Sequence, residues 1–358
     1  MTTTEHAQLE LALALHRAIA PDPARPACCS PLSIASALGM TAEATAGETR
    51  AQLLALLGDL DVLRERLHVA ARAESAELAL ANTVWTEDRV ELSATFVSRL
   101  AGWPDSAACH APFRTAPGRA RELINADVAE TTRGLIPELI PDGAVDADTI
   151  AAIVNALYLK ASWDNPFTES ATRDRPFSGA GKVPTMALTH RMRYAESGGW
   201  RIAVLPAGAE VEAAVLLPDR PLAEAEAGLT PAALGTLLEE AAPREVELRL
   251  PRFEVRAQSS LSGALAGLGV REMFGPGADF SPMTRARVLV SEVLHESVLR
   301  VDEQGFEGAA ATAVLVRLAM VTTDRPIPFH VDRPFLFLVR DRRTGVVYFL
   351  ARVASPVP

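Results

Sequence analysis

Apolar positions recur along this chain in two rhythms, and the change between them sets the expected architecture. Through residues 1–75 the rhythm is helical. Leu9, Leu11, Leu13, Leu15 and Ile19 mark a first helix. Ser30-Pro31 opens a second, since serine caps a helix and proline suits its first turn. Gly47 to Leu57 gives a third, stopped by Gly58, and Asp61 to Ala73 a fourth. The rhythm then shortens. Leu78 to Trp85 has strand character, while Leu92 to Leu100 and Arg119 to Thr132 return to helical spacing. Thr149 to Lys160 is almost continuously apolar, as a central strand covered on both faces should be. Val183 to Tyr194, Arg201 to Leu205 and Val211 to Leu217 read as short strands, and Pro221 to Glu240 as helix. Glu245 to Val255 and Val288 to Asp302 alternate, with Pro251 marking a bend or an edge. Phe335 to Arg340 and Val346 to Val353 close the chain as a hairpin around Arg343-Thr344-Gly345. Helices early and strands late, with no repeat, linker or break in composition, predict one α+β domain over residues 1–358.

Composition narrows the function classes. With 49% hydrophobic and 22% charged residues the chain is globular. A net charge of −10 without a basic stripe argues against nucleic acid as a partner. No apolar run approaches ~18 residues, so no membrane span is expected. The N-terminus lacks a basic leader and a small-residue cleavage site and reads as a first amphipathic helix. Cys28, Cys29 and Cys109 are odd in number, and two are adjacent. They are expected as reduced thiols in buried strands, which fits a cytoplasmic protein, with export by another route left open. Enzyme chemistry finds no purchase: there is no GxSxG, P-loop or CxxC, and the GPGA at Gly275 to Ala278 lacks the third glycine of a dinucleotide loop. His6, His16, His68, His110, His190 and His330 lack ligand spacing, and His295-Glu296 has no second histidine to make a zinc helix. No catalytic residue, metal or cofactor is therefore expected.

One segment stands apart. Val301 to Leu318, VDEQGFEGAAATAVLVRL, begins as a strand and becomes a run of small residues from Gly308 to Ala313. By itself an alanine-rich run is helix-forming. Its neighbours change that reading. SPLSIASALGMTAEATAGETRAQLLALLG (Ser30 to Gly58), NALYLKASWDNPF (Asn155 to Phe167), VPTMAL (Val183 to Leu188), LRLPRFEV (Leu248 to Val255) and GADFSPMT (Gly277 to Thr284) follow in order. VLHESVLRVDEQGFEGAAATAV and DRPFLFLVRDRRTGVVYFLARVASP complete the series. Together, from Ser30 to Pro356, these blocks resemble the serpin family in a bacterial-type form without a signal peptide.

The resemblance implies an α+β serpin fold. Its three β-sheets include a large five-stranded one able to accept a sixth strand. About nine helices and an exposed reactive-centre loop, near residues 303–329, complete it. It also implies a suicide mechanism: a serine protease, or a cysteine protease, cuts the loop, and the acyl-enzyme is trapped covalently as the loop inserts. The partner class is a target protease, elastase-like or subtilisin-like ahead of trypsin-like, acting on a monomer. By the same resemblance the hinge comprises Glu303, Gly305, Phe306, Glu307, Gly308, Ala309, Ala310, Ala311 and Thr312. The breach comprises Trp163, Arg252 and Glu303, the last two as an exposed ion pair, and the shutter Ser30, Ser33, Asn155 and His295. Family spacing from Glu303 places the scissile bond at Ala319-Met320, with Leu318-Ala319 and Arg317-Leu318 as neighbouring registers. Val321 to Pro328 reads as a flexible connector held extended by its prolines.

Physics supports small residues in such a loop, because a strand sliding between two others must not overpack them. Glu307 is expected to face solvent after insertion, its charge resisting burial. Phe306 departs from the family's usual Thr or Ser at the first inserting position. It costs ~1–3 kcal/mol if it overpacks, or little if the breach holds a matching cavity. A slow first step would leave a protein that is cut as a substrate, so a serpin that does not inhibit, acting in binding, storage or chaperoning, is the alternative.

Overall fold

A computed structural model describes residues 3–356, apart from 75, 289, 291–292 and 307–324. The early helices form where the spacing predicts them: α1 (Thr3–Ile19), α2 (Pro31–Ala44), α3 (Gly47–Leu57) and α4 (Leu60–Ala71). The Ser30 hydroxyl accepts from the Ser33 amide and Pro31 sits in the first turn, so α2 starts as its cap residues dictate. Every residue of α2 is buried, which makes it a core helix and not a surface one. A short strand, β1 (Ala27–Cys29), precedes it.

The middle of the chain supplies β2 (Glu77–Glu87), α5 (Ala94–Leu100), β3 (Ser106–Ala111), α6 (Pro117–Thr131) and β4 (Ala151–Ser162). β4 explains its own composition. Leu157, Leu159 and Ala161 enter the main core, and Val154 and Ala156 enter a second core with Ile124 and Val128 of α6. Alternate side chains thus meet different apolar partners, and neither face is left polar.

Four strands follow: β5 (Arg173–Phe177), β6 (Gly181–Ser197), β7 (Trp200–Ala207) and β8 (Val211–Pro218). The helix expected over Pro221 to Glu240 is two, α7 (Leu222–Ala227) and α8 (Pro231–Glu240). Gly228 ends the first, and Thr230 caps the second by accepting from the Ala233 amide. The alternating stretch Glu245 to Val255 is likewise divided into β9 (Ala242–Pro251) and β10 (Phe253–Ser260), which lie in different sheets. Pro251 and Arg252 are where the chain changes sheet. Then come α9 (Ser262–Gly267), β11 (Leu294–Val301), β12 (Gly305–Phe306), β13 (Ile327–His330), β14 (Phe335–Asp341) and β15 (Val347–Val353). β11 begins six residues after the expected Val288, and part of that stretch lies outside the described residues. Ile327 and Pro328, expected in a flexible connector, belong to β13, which pairs with β9 in parallel. Pro328 is tolerated because β13 is an edge strand.

Nine α-helices are present among the described residues. The large sheet runs β10-β11-β12-β4-β2-β3: five strands of six residues or more and a sixth of only two. The remaining strands form one nine-stranded path, β1-β15-β14-β8-β7-β6-β9-β13 with β5 on β6. The 17-residue β6 joins two smaller sheets, so three expected sheets appear as two hydrogen-bonded networks. Cys28 and Cys29 are buried in β1, but Cys109 is only half-buried on the edge strand β3, against expectation. Among the described residues no helix is long and apolar enough to cross a membrane.

Candidate functional site

The site is built where β11 ends. The Asp302 carboxylate accepts from the amides of Gln304 (2.8 Å) and Gly305 (3.2 Å), and its own amide donates to the Gly305 carbonyl (3.1 Å). This turn sends the chain back into the sheet as β12, with Gly305 opposite Ser162, and Phe306 opposite Ala161 and Val301. Only glycine fits at 305. A Cβ there would collide with the Ala161 carbonyl oxygen and lie 2.9 Å from Ser162 Cα. The far side is sewn down too. The Trp163 amide donates to Gln304, the Phe167 amide to Glu303 and the Trp163 indole to Asp302, each at 2.9 Å.

Phe306 is 1% exposed. Its ring meets Trp163 edge-on at 4.7 Å between centroids and Phe337 at 6.2 Å, and Phe337 continues to Phe253 at 5.2 Å. These are favourable aromatic geometries, each worth ~0.5–1.5 kcal/mol beyond burial. Of the two outcomes the sequence left open for Phe306, the structure has the matching cavity.

Glu303 and Arg252 do pair, but not as an exposed ion pair. The Glu303 side chain is 3% exposed and that of Arg252 40%. The Arg252 Nε donates to both carboxylate oxygens, at 2.8 and 2.6 Å, and Thr172 Oγ1 donates to the same group. Burial pushes the Glu303 carboxyl up, yet the Arg252 and Thr172 hydrogen bonds and the Arg252 charge outweigh it and hold the pKa below the ordinary value. The loop expected to be exposed from residue 303 is therefore buried at Glu303, Gly305 and Phe306, with Gln304 half-buried between them. Glu307, Gly308, Ala309, Ala310, Ala311 and Thr312, and the candidate bonds among Arg317, Leu318, Ala319 and Met320, lie outside the described residues.

The four expected shutter residues are all buried, and three of them, Ser33, Ser30 and His295, are linked by hydrogen bonds. His295 Nε2 accepts from the Ser30 amide (3.2 Å) and from the Ser297 hydroxyl (2.8 Å), which leaves the imidazole proton on Nδ1. Burial pulls the His295 pKa down to about 4, so the ring is neutral near pH 7. Asn155 does not reach His295. Its amide donates to Asn82, directly opposite on β2, and Asn82 donates to the Pro104 carbonyl at 2.6 Å. Ser33 contributes its backbone amide, and its hydroxyl is buried without a partner among the described residues. Asn82, Thr172, Ser297, Asp302 and Phe337 were missed from the sequence. Only Asn82 carried a signal, as a lone amide inside an apolar strand facing another.

Between breach and shutter, β4 and β11 each pair with β12 and, among the described residues, not with each other. Lower down, a cavity of about 60 Å³ is lined by Leu38 of α2, Val154 of β4, Leu294 of β11 and Ile140 of the segment after α6. Its lining comes from both sides of the sheet, which marks a seam between β4 and β11. Among the described residues no cluster of three or more side chains is arranged to hold a metal ion.

Comparison with known proteins matches residues 6–356 to the family described as serpin (serine protease inhibitor). The leukocyte elastase inhibitor of Equus caballus is 34% identical over 384 residues, covering 99% of each chain. Serpin-Z2A of Oryza sativa subsp. japonica is 32% identical, covering 91% of each. The crystal structure of uncleaved ovalbumin superposes with a TM-score of 0.87 at 22% identity, over 99% of this chain and 100% of that one.

Proposed function

Because the chain belongs to the serpin family, we propose that it is an irreversible suicide inhibitor of serine proteases. The observation that carries this reading is β12. Gly305 and Phe306 already pair between β11 and β4, along the seam a sixth strand would fill. Extending that strand by ~10 residues adds ladder bonds of ~0.5–1.5 kcal/mol each, on the order of 10 kcal/mol in total. The native chain stores that free energy until a protease cuts the loop. Phe306, the bulkiest side chain that must enter, is seated beforehand. The run from Gly308 to Ala313 that follows is small enough to enter without overpacking.

Glu303 and Arg252 act in this scheme as the pivot beside the seam, and His295 with Ser30 as the polar clasp beneath it. The reactive bond is Ala319-Met320, a small residue suited to an elastase-like or subtilisin-like pocket, consistent with the leukocyte elastase inhibitors among the relatives. The protein acts as a monomer and ends in a covalent complex. The alternative, a fold member that does not inhibit, rests on Phe306 as an obstacle, and the edge-on packing of that ring against Trp163 and Phe337 favours the inhibitor reading.

Incubation with elastase-like, subtilisin-like and trypsin-like proteases tests the reading. An SDS-stable adduct, with intact mass placing the cut after Ala319, is the expected result. A cleaved chain with free, active protease in every case would support the alternative.

A further inference from the structure

A second cavity lies beside the breach, among β6, β7 and β9, and holds about 150 Å³. Leu188 and Met192 of β6 and Val204 and Leu205 of β7 make its apolar lining, with Trp163 contributing a wall. Its polar lining is Asn165, His190, Glu212 and three arginines, Arg191, Arg193 and Arg342, with Glu245 opposite Arg191 on β9. Glu212, at the start of β8, is 3% exposed at its side chain and is met by three guanidinium groups: Arg340 at 2.7 Å, Arg193 at 3.2 Å and Arg342 at 3.5 Å. One carboxylate against three arginines leaves a surplus of positive charge. Arg193 is tied further to the carbonyls of Ala241 and Leu238. Arg342 is exposed, and that one long contact is all its guanidinium makes among the described residues. Arg191, on the same cavity and also exposed, has no side-chain hydrogen bond or ion pair among the described residues.

We propose that this cavity is a binding site for a small aryl carboxylate. An apolar void of about 150 Å³ accommodates a benzene-sized group. Guanidinium forks match a carboxylate geometrically, and Arg191 and Arg342 have donors to spare for one. The same charge surplus repels an aryl amine, and a neutral aryl alcohol offers the two arginines only an uncharged acceptor. Pockets with an apolar floor and a few convergent polar groups are the usual form of a small-molecule site. Trp163 is shared between this cavity and the Phe306 seat, so its indole emission reports occupancy.

The test titrates the native full-length chain with phenylacetate, benzyl alcohol and phenethylamine, following heat of binding and tryptophan emission. Phenylacetate should bind saturably at one site, at least about tenfold more tightly than either control, as a charge-assisted contact demands. Reversing both exposed arginines, Arg191→Glu with Arg342→Glu, should weaken phenylacetate at least about tenfold and leave benzyl alcohol within about twofold. Leu188→Trp, which fills the cavity from a half-buried position, should abolish both. No saturable phenylacetate binding at millimolar concentration, equal binding of all three probes, or indifference to the charge reversal would overturn the site. Binding is read without any protease, so its failure leaves the inhibitor reading standing, and the converse holds.

Discussion

Phe306 shows how far a single residue can be judged without its surroundings. Its bulk at the first inserting position reads as an obstacle, because nothing local says what it will touch. Trp163 and Phe337 come from distant parts of the chain and together make its seat, with Phe253 packed behind Phe337. Replacing it should therefore harm and not help. Phe306→Thr is expected to destabilise the uncut chain by about 3 kcal/mol, as buried aromatic truncations do, without raising the fraction of protease trapped per loop cut. Urea denaturation and gel stoichiometry check the two halves. His295 makes a second residue-scale prediction. Its ring is neutral when folded down to about pH 4, but in the unfolded chain it takes a proton near pH 6.5. Unfolded molecules then hold more protons in that window, so stability is full above about pH 6.5 and falls as pH drops toward 4, by about 3 kcal/mol. Glu303, whose pKa is held below the ordinary 4.5, adds its own loss as pH falls through about 4.5 and below. Urea midpoints between pH 7.5 and 4.5 should decline for the native chain and decline less for His295→Gln. Parallel lines would mean the ring is not buried as a neutral acceptor.

At the scale of elements, the helices and long strands were legible because each carries its own period or cap. α3 needs only its apolar spacing and Gly58, and β4 only its unbroken apolar run. The short strand β5 was not, and β1 and β3 were anticipated only as strands around Cys28, Cys29 and Cys109 without bounds, since three to six residues give no period to count. β12 is the extreme case: two residues whose strand character comes entirely from Ala161, Ser162 and Val301 across the ladder. The candidate site divides the same way. Ser30, Trp163, Arg252, His295 and Glu303 stood in quotable segments, whereas Thr172 and Asp302 act through a turn that no pattern reveals. β12 itself is open to test through Gly305. Gly305→Ala places a methyl against the Ala161 carbonyl and should expel both residues from the sheet. Amide exchange across residues 302–306 and 161–163 should accelerate, with a change in Trp163 emission. Unchanged protection would mean that β12 is not paired in solution.

For the whole molecule, the proposed mechanism requires a chain folded short of its lowest free energy. The large sheet pairs early strands such as β2 with late ones such as β11 across β4, so the sheet is assembled from distant parts of the chain and folds slowly. Among the described residues that topology leaves a seam between β4 and β11, begun by β12, with Ser30 hydrogen-bonded to His295 of β11 at the N-terminus of α2. By the proposed mechanism, completing it requires no new fold, only release of one end of the loop. Thermal unfolding of the chain before and after a single cut in residues 317–321 tests this most directly. A gain on the order of 10 kcal/mol in a protein of this size should raise the midpoint on the order of 10 °C or more. Equal midpoints for cut and uncut chains would contradict it.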